Sequence, residues 1–208
     1  MQGLHITDVW KKYVSKQQVV VAVIDNGFAI DHPDLAGRVW SNSKEIPGNN
    51  KDDDGNGYID DIHGYNFYEQ SADITPLGDH GTQVASIIGA IANNKIGVAG
   101  ISQDVALMSL VVCNSEECLH SSDLSGPIRY AVDNGADIIN MSLVSKNGSF
   151  NPALDAAIKY ATDNGVIVVI AAGNGQGEQD NKVGVNTTTS PLSPVCNYGD
   201  DAKRIIGV

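Results

Sequence analysis

Short, nearly continuous apolar runs alternate along this chain with segments in which apolar residues recur every three or four positions. Runs of this length predict β-strands, at residues 18–25, 105–112, 136–141 and 166–172, with a fifth strand beginning at residues 204–208. The periodic segments predict helices, at residues 81–92, 124–134 and 152–164. Strands and helices are therefore expected to follow one another in regular alternation.

Strands that are apolar throughout, with helices between them, are typical of a parallel sheet that is covered on both faces. We expect an α/β fold of three layers, a parallel sheet flanked by helices, in one domain over residues 1–208. The predicted fifth strand reaches the last residue, so we expect this domain to be incomplete at its carboxyl end. Residues 42–68 interrupt the alternation with loop-forming residues and carboxylates, and we interpret them as an insertion with a role of its own.

Polar residues follow three of the predicted strands. They are Asp25, Ser142 and Asn174. In parallel sheets, ligands bind beyond the carboxyl ends of the strands. The sequence therefore places these three residues along one edge of the sheet, where a site is expected.

The composition narrows the classes of function. The 208 residues are 42% hydrophobic and 18% charged, which is typical of a globular domain. No apolar stretch approaches the eighteen residues or more that a membrane span needs. With 13 basic and 25 acidic residues, the net charge of −12 would repel a polyanion. We therefore expect neither a membrane span nor a nucleic-acid partner.

Three cysteines leave the redox state open. Cys113 and Cys118 lie in a polar stretch and are either joined in a small loop disulfide or present as free thiols, while Cys196 has no obvious partner. No cysteine or histidine at zinc spacing accompanies them.

Three short blocks carry candidate chemistry: Val-Ile-Asp25-Asn-Gly, His80-Gly-Thr-Gln-Val-Ala and Ala-Ala-Gly-Asn174-Gly. Each block alone has an ordinary structural explanation, because such residues beside glycine are common in turns and at helix starts. Together, and in this order, they make the chain resemble the amino-terminal two-thirds of the catalytic domain of subtilisin-like serine peptidases, the subtilase family. The resemblance covers Val9-Trp10 and residues 19–25, 32–35 (His-Pro-Asp-Leu), 80–82, 140–143 (Asn-Met-Ser-Leu) and 171–175.

The resemblance implies a serine endopeptidase that hydrolyses peptide bonds in protein or peptide substrates. By position, Asp25 resembles the acid that orients the catalytic histidine, and His80 resembles the general base. Asn174 resembles the side-chain donor of the oxyanion hole. The two strand ends that flank a substrate backbone in this family are matched by Ser142, Leu143, Ala171, Ala172 and Gly173.

The nucleophilic serine of the family has no counterpart here. It sits in a helix-opening Gly-Thr-Ser-Met-Ala-x-Pro element, whereas Ser190 and Ser193 lie beside prolines in a Thr/Ser/Pro-rich stretch. We therefore expect the chain alone to be inactive, with the serine supplied by a missing carboxyl-terminal segment or a second chain. The alternative is a non-catalytic binding or scaffold protein that keeps the subtilase fold.

The chain departs from the family's pattern at several positions. Asn26 stands where Thr or Ser usually follows the acid, and Gln83 and Ser86 stand where His and Gly are common. Val144-Ser145 replaces the usual Gly-Gly, which leaves the specificity pocket undetermined. None of these changes removes a group assigned a catalytic role.

The acidic segment Asp-Asp-Asp-Gly-Asn-Gly-Tyr-Ile-Asp-Asp resembles the first half of an EF-hand calcium loop. Oxygen ligands alternate, Gly57 allows the sharp turn, and either Asp60 or Asp61 closes the site, because His63 stands at the twelfth position. A second register begins at Asn50 and puts Asp61 at position twelve. The candidate Ca²⁺ ligands are Asp52, Asp54, Asn56, Tyr58 (through its carbonyl) and Asp61.

A solvated acidic loop without a cation is the alternative. Similar insertions in many bacterial members of the family favour calcium over magnesium. Because members of the family act mostly outside the cytoplasm, where calcium is abundant, we also expect a secreted or cell-envelope location.

Overall fold

A six-stranded parallel sheet forms the centre of the computed structural model, which describes residues 5–12, 17–120, 122–144, 151–174 and 204–208. Its strands lie side by side in the order β2-β3-β1-β4-β5-β6. Their bounds are β1 Val19–Asp25, β2 Gly64–Asn66, β3 Val105–Val111, β4 Ile138–Met141, β5 Ile167–Ile170 and β6 Ile205–Gly207. The predicted parallel sheet is confirmed.

Helices cover both faces of the sheet. Their bounds are α1 Ile6–Lys12, α2 His80–Gly89, α3 Ser125–Asp133 and α4 Pro152–Asp163, with a short 3₁₀ turn at Ala36–Arg38. Side chains alternate along β1, as they do on any strand. Ala22 and Ile24 join a core cluster with α3 and α4, whereas Val21 and Val23 join a second cluster with α2. The three-layer α/β fold is thus confirmed, with a buried cluster on each face of the sheet.

Two elements differ from the sequence-based prediction. The helix predicted over residues 81–92 ends at Gly89, because the Ile91 N–H is taken by the Asp34 carbonyl at 2.9 Å and cannot continue the helix. The interruption at residues 42–68 contains the short strand β2, which pairs with β3. Three residues are too few for a periodic signal, so the pattern of apolar positions missed this strand.

The candidate disulfide is present. Cys113 and Cys118 are bonded and close a small hairpin that begins directly after β3. Cys196 lies outside the described residues. Among the described residues, no helix is both long and apolar enough to cross a membrane.

Candidate active site

Asp25 and His80 meet at the carboxyl edge of the sheet. Asp25 is the last residue of β1 and is 3% exposed, whereas His80 opens α2. The His80 Nδ1 lies 2.9 Å from both carboxylate oxygens of Asp25. A carboxylate can only accept, so the Nδ1 atom carries the proton and the Nε2 atom is left as a base. The His80 side chain is 55% exposed and is therefore accessible from solvent.

The position of Asp25 is fixed by the pairing of β1 with β3. Asp25 is in register with Val111 of β3, and its carbonyl accepts a hydrogen bond from the Val112 N–H at 2.8 Å. The Asn26 N–H donates to the Asp25 Oδ1 at 2.8 Å and holds one carboxylate oxygen. The carboxylate is thereby held by backbone geometry.

The strand order reverses at β1, because the chain passes to β3 on one side of it and then to β4 on the other. Such a reversal opens a crevice at the carboxyl ends of the strands, where ligands of open α/β sheets bind. Asp25 lies at the end of β1, and Ser142 follows β4. The two residues therefore border the crevice that the topology creates.

The predicted substrate-binding residues follow β4 and β5 at the same edge. The Ser142 Oγ accepts a hydrogen bond from the Asn140 side chain at 2.9 Å, and Leu143 packs against the core. The Ala171 N–H donates to the Met141 carbonyl at 3.0 Å, and the Ala172 N–H donates to the Val208 carbonyl at 2.6 Å. Both amides are used by the sheet, so neither N–H is free for another partner.

Beyond β5, the chain turns outward at Gly173, whose φ of +92° is one that glycine adopts readily. Asn174 follows it and is exposed at this edge. Parallel strands lie about 4.8 Å apart, and β5 is two strands from β1 in the sheet. The backbone thus brings Asn174 to the same edge as Asp25 and His80. Ser190 and Ser193 lie outside the described residues.

The His-Pro-Asp-Leu motif has a structural role. Asp34 is 2% exposed, and its carboxylate accepts hydrogen bonds from the Asn94 side chain at 2.6 Å and the Val98 N–H at 2.9 Å. The motif therefore ties the segment that follows α2 to the turn that follows β1.

The acidic loop folds around its own carboxylates. The Asp52 side chain accepts hydrogen bonds from the N–H groups of Gly55, Asn56 and Gly57 at 2.7 to 3.0 Å. The bond from Gly57 is the main cause that lowers the pKa of Asp52 below its usual value. Asp52 is therefore held as a carboxylate at the centre of a tight turn.

Glu45 was not found by the sequence analysis, and it completes a cluster of acids in this loop. Oxygens of Glu45, Asp52 and Asp54 all lie within 4.8 Å of one another. Glu45 is 6% exposed, and one of its oxygens accepts from the N–H groups of Asp53 and Asp54 at 2.8 and 3.1 Å. Three carboxylates this close repel one another, and an all-oxygen set suits a hard cation such as Ca²⁺.

Other predicted ligands of the loop make different contacts. The Asn56 Oδ1 accepts from the Tyr58 N–H at 2.7 Å, while its amide donates to the Asp61 Oδ2 at 2.9 Å. Asp61 also accepts hydrogen bonds from the side chains of Asn42 and Tyr130. Asp60 accepts from two backbone N–H groups of the same loop, those of residues 49 and 50. The structure thus surrounds Asp61 with donors and brings Glu45 to Asp52 and Asp54.

Burial raises the pKa of Asp61, and hydrogen bonds from Tyr130, Asn56 and Asn42 oppose this increase. Burial also raises the pKa of Tyr130, and its hydrogen bond to Asp61 adds to the effect. The phenol therefore stays protonated and donates its proton to the carboxylate. This buried pair joins the acidic loop to α3.

Comparisons with known proteins bear on the family and on the fold. A model of the subtilase family matches residues 16–199. A thermophilic serine proteinase from Bacillus sp. (strain AK1) is 33% identical over 173 residues, covering 83% of this chain and 35% of that protein. Thermitase from Thermoactinomyces vulgaris is 30% identical over 154 residues, covering 74% of this chain and 47% of that protein.

A major intracellular serine protease from Bacillus subtilis (strain 168) is 36% identical over 174 residues, covering 83% of this chain and 48% of that protein. The chain thus spans about a third to a half of the length of these relatives. Fervidolysin from Fervidobacterium pennivorans, described as a keratinolytic enzyme related to subtilisin, superposes with a TM-score of 0.63 at 24% identity. That match covers 83% of this chain and 23% of fervidolysin, and it supports the fold.

Proposed function

This chain belongs to the subtilase family, and from that premise we propose that it contributes the acid, the base and an oxyanion-hole donor of a serine endopeptidase. The observation that carries the proposal is the pair of 2.9 Å contacts from the Asp25 oxygens to the His80 Nδ1. A serine hydroxyl is a poor nucleophile at neutral pH and needs a base that is held in one tautomer. The buried carboxylate and the exposed imidazole meet that need.

Each residue has a defined task in the proposed reaction. The Nε2 atom of His80 takes the proton of the serine hydroxyl as the oxygen attacks the peptide carbonyl, and then gives it to the leaving amine. Asp25 stabilises the imidazolium that forms between these two steps. Asn174 donates a hydrogen bond to the oxyanion of the tetrahedral intermediate. Ser142, Leu143, Ala171, Ala172 and Gly173 are proposed to line the substrate groove.

The serine itself is proposed to come from outside these 208 residues. The sequence contains no Gly-Thr-Ser element, and Ser190 and Ser193 stand in a different context. We therefore expect a fluorophosphonate probe, which labels activated serines, to leave this chain unlabelled. Stoichiometric labelling at Ser190 or Ser193 would contradict the proposal.

The catalytic roles are tested in a longer form of the chain that includes a helix-opening Gly-Thr-Ser element. His80→Ala and Asp25→Asn should each lower kcat for a peptide substrate by several orders of magnitude. Asn174→Ala should lower it by about a hundred- to a thousandfold, the loss known for this donor in the family, with binding little changed. Near-normal turnover in His80→Ala would refute the mechanism. A longer form that folds and shows no turnover would favour the non-catalytic alternative.

The acidic loop is proposed to bind calcium. Glu45, Asp52 and Asp54 supply convergent carboxylate oxygens, and the Asn56 side chain, the Tyr58 carbonyl and Asp61 complete the proposed set. When bound, the cation would neutralise the repulsion among the carboxylates and stiffen the loop. At a hundredfold excess of calcium over the Kd, binding stabilises the fold by about 2.7 kcal/mol. Each kcal/mol raises the Tm of a chain of this size by about 2–4 °C.

Calorimetry and thermal melts with calcium, magnesium or chelator test this site. Asp54→Asn removes one charge from the cluster and should abolish the calcium-dependent rise in Tm. Asp53→Asn is the matched control, because the Asp53 side chain contacts the Ile46 N–H and the Asn49 amide at the rim of the loop. A rise that survives Asp54→Asn, or that is absent at millimolar calcium in the unmodified chain, would contradict the proposal.

The disulfide supports a location outside the cytoplasm. Small-loop disulfides persist in oxidising compartments and are rare where thiols are kept reduced, and the Cys113–Cys118 bond closes such a loop. We propose that the protein works in a secreted or cell-envelope setting. Alkylation of free thiols in protein taken directly from its source should leave this pair unmodified.

A further inference from the structure

We propose that Asn26 is a positioning residue of the active site, which sets the alignment of His80 with Asp25 by capping the helix that carries His80. The inference rests on the proposed function, in which His80 is the base. It goes beyond that function by assigning a role to a residue that departs from the family's usual Thr or Ser.

The first turn of α2 lacks an ordinary cap. The residue before the helix is Asp79, and its side chain makes no capping hydrogen bond. Unpaired N–H groups in the first turn of a helix are normally satisfied by such a side chain. Here, the Gly81 N–H donates to the Asn26 Oδ1 at 2.8 Å. The cap of α2 is therefore supplied by the residue that follows β1 rather than by the residue that precedes the helix.

Asn26 bonds to three parts of the site at once. Its N–H donates to the Asp25 Oδ1 at 2.8 Å, its side chain holds Gly81, and its carbonyl accepts the Leu77 N–H at 2.8 Å. The residue is 5% exposed, so water cannot readily replace these partners. One residue thus contacts the acid, the start of the histidine's helix and the segment that leads into it.

Gly78 and Gly81 lie so close to Asn26 and Gly27 that the start of α2 cannot move nearer to the turn after β1. A Cβ on Gly81 would clash with the Gly27 carbonyl, and a Cβ on Gly78 would clash with the Asn26 amide nitrogen. The backbones of Gly81 and Gly27 therefore approach closely, Gly78 packs against the Asn26 side chain, and the bond from Gly81 to Asn26 opposes their separation. His80 is the residue directly before Gly81, so its imidazole follows any shift of that N–H.

Removal of the amide should loosen this alignment. In Asn26→Ala the Gly81 N–H is left without its acceptor, and the start of α2 is free to shift. A displacement of about 1 Å at a catalytic group can lower a rate by about a hundredfold. Because an ordinary cap also stabilises a helix, the test must separate alignment from stability.

Asn151→Ala is the matched control. Asn151 caps α4, accepting from the N–H groups of Ala153 and Leu154 at 3.0 and 3.2 Å. Both variants remove one asparagine cap, and α4 packs against α3 on the other face of the sheet from α2. We expect both variants to lower stability. Only Asn26→Ala should disturb His80.

The readout is the ¹⁵N spectrum of the His80 ring in this chain, which needs neither the serine nor turnover. In the unmodified chain and in Asn151→Ala, the spectrum should report the tautomer with the proton on Nδ1, held by Asp25. In Asn26→Ala, the populations should shift toward the Nε2 tautomer, in the direction of Asp25→Asn. A ring signal identical in Asn26→Ala and Asn151→Ala would overturn the proposal and leave Asn26 as a cap alone.

Two further measurements keep the inference testable. If Asn26→Ala does not fold, hydrogen exchange of the Gly81 N–H can be measured in the unmodified chain. We expect this amide to be protected by its bond to Asn26. Exchange as fast as that of an exposed amide would overturn the inference. In the longer form, Asn26→Ala should lower kcat by about 10- to 100-fold with KM little changed. Unchanged kcat would also overturn it. Failure of the proposed function would appear separately, as turnover that survives His80→Ala.

Discussion

Replacing Tyr130 by Phe isolates the hydrogen bond that joins the acidic loop to α3. The Tyr130 hydroxyl donates to the Asp61 Oδ2 at 2.5 Å, and the two residues are 2% and 0% exposed. The ring itself packs edge-on against Tyr58 and Phe67, at centroid distances of 4.9 and 5.7 Å. Phe preserves these ring contacts, so the change removes one hydroxyl and little else.

The expected loss follows from burial and charge. A hydrogen bond to a charged group contributes about 1.5–3 kcal/mol, and an acceptor left short of a partner in the interior raises the cost. Asp61 would keep only the two amide donors of Asn42 and Asn56. We expect a loss of about 2–3 kcal/mol, which lowers Tm by about 2–4 °C for each kcal/mol.

The assay is urea denaturation at pH 8 with chelator present, so that bound calcium does not mask the change. The midpoint should fall while the m-value stays constant, because the surface exposed on unfolding is the same. Tyr160→Phe is the matched control. The Tyr160 hydroxyl donates to the Asp133 Oδ1 at 2.6 Å at the surface, where such a bond is replaced by water. We expect no measurable shift of its midpoint.

Two results would refute this reasoning. Equal midpoint shifts in Tyr130→Phe and Tyr160→Phe would show that burial does not set the cost. A Tyr130→Phe loss that is the same with Asp61 intact and in Asp61→Asn would show that the hydroxyl acts independently of the carboxylate.

Two further predictions concern the stability of strand β2 and of the disulfide-closed hairpin. Gly64→Ala should lower stability by at least about 3 kcal/mol in urea denaturation, because φ is +126° and the new Cβ would clash with the Ser109 carbonyl. Gly48→Ala should cost only about 1 kcal/mol, since φ is +71° and no atom lies within 4 Å, and equal losses would contradict the steric argument. Replacing both Cys113 and Cys118 by Ser should cost about 2 kcal/mol by loop-closure entropy. A reductant should then lower the Tm of the unmodified chain but not of the double variant, and the opposite pattern would contradict this assignment.

The sequence predicted those parts of the site that each lie within one short segment. Asp25, His80 and Asn174 stand in blocks of adjacent residues whose order is specific to one family, and the apolar runs around them predict the strands that hold them. Glu45 could not be found in this way, because it lies outside the acidic run and reaches Asp52 and Asp54 only through the fold of the loop.

The sequence analysis noted Asn26 as a departure from the family's pattern but could not predict its contact with Gly81. Its partner Gly81 lies 55 residues away, and a local pattern carries no record of that contact. The same limit explains why the sequence analysis missed β2. Its three residues form a strand because they pair with β3, and they have no periodicity of their own.

The pairing of β1 has a consequence for how the chain folds. Val19 pairs with Val105, and Val21 pairs with Ile138, so both neighbours of β1 arrive from far along the sequence. Closing such long loops costs conformational entropy before the paired strands contribute any stabilising contacts. Folding is therefore expected to be slow compared with that of a helical bundle. Asp25 is in register with Val111 of β3, so we expect its position beside His80 to be fixed only once β1 and β3 have paired. We therefore expect the geometry of the candidate site to form late in refolding, after this long-range pairing.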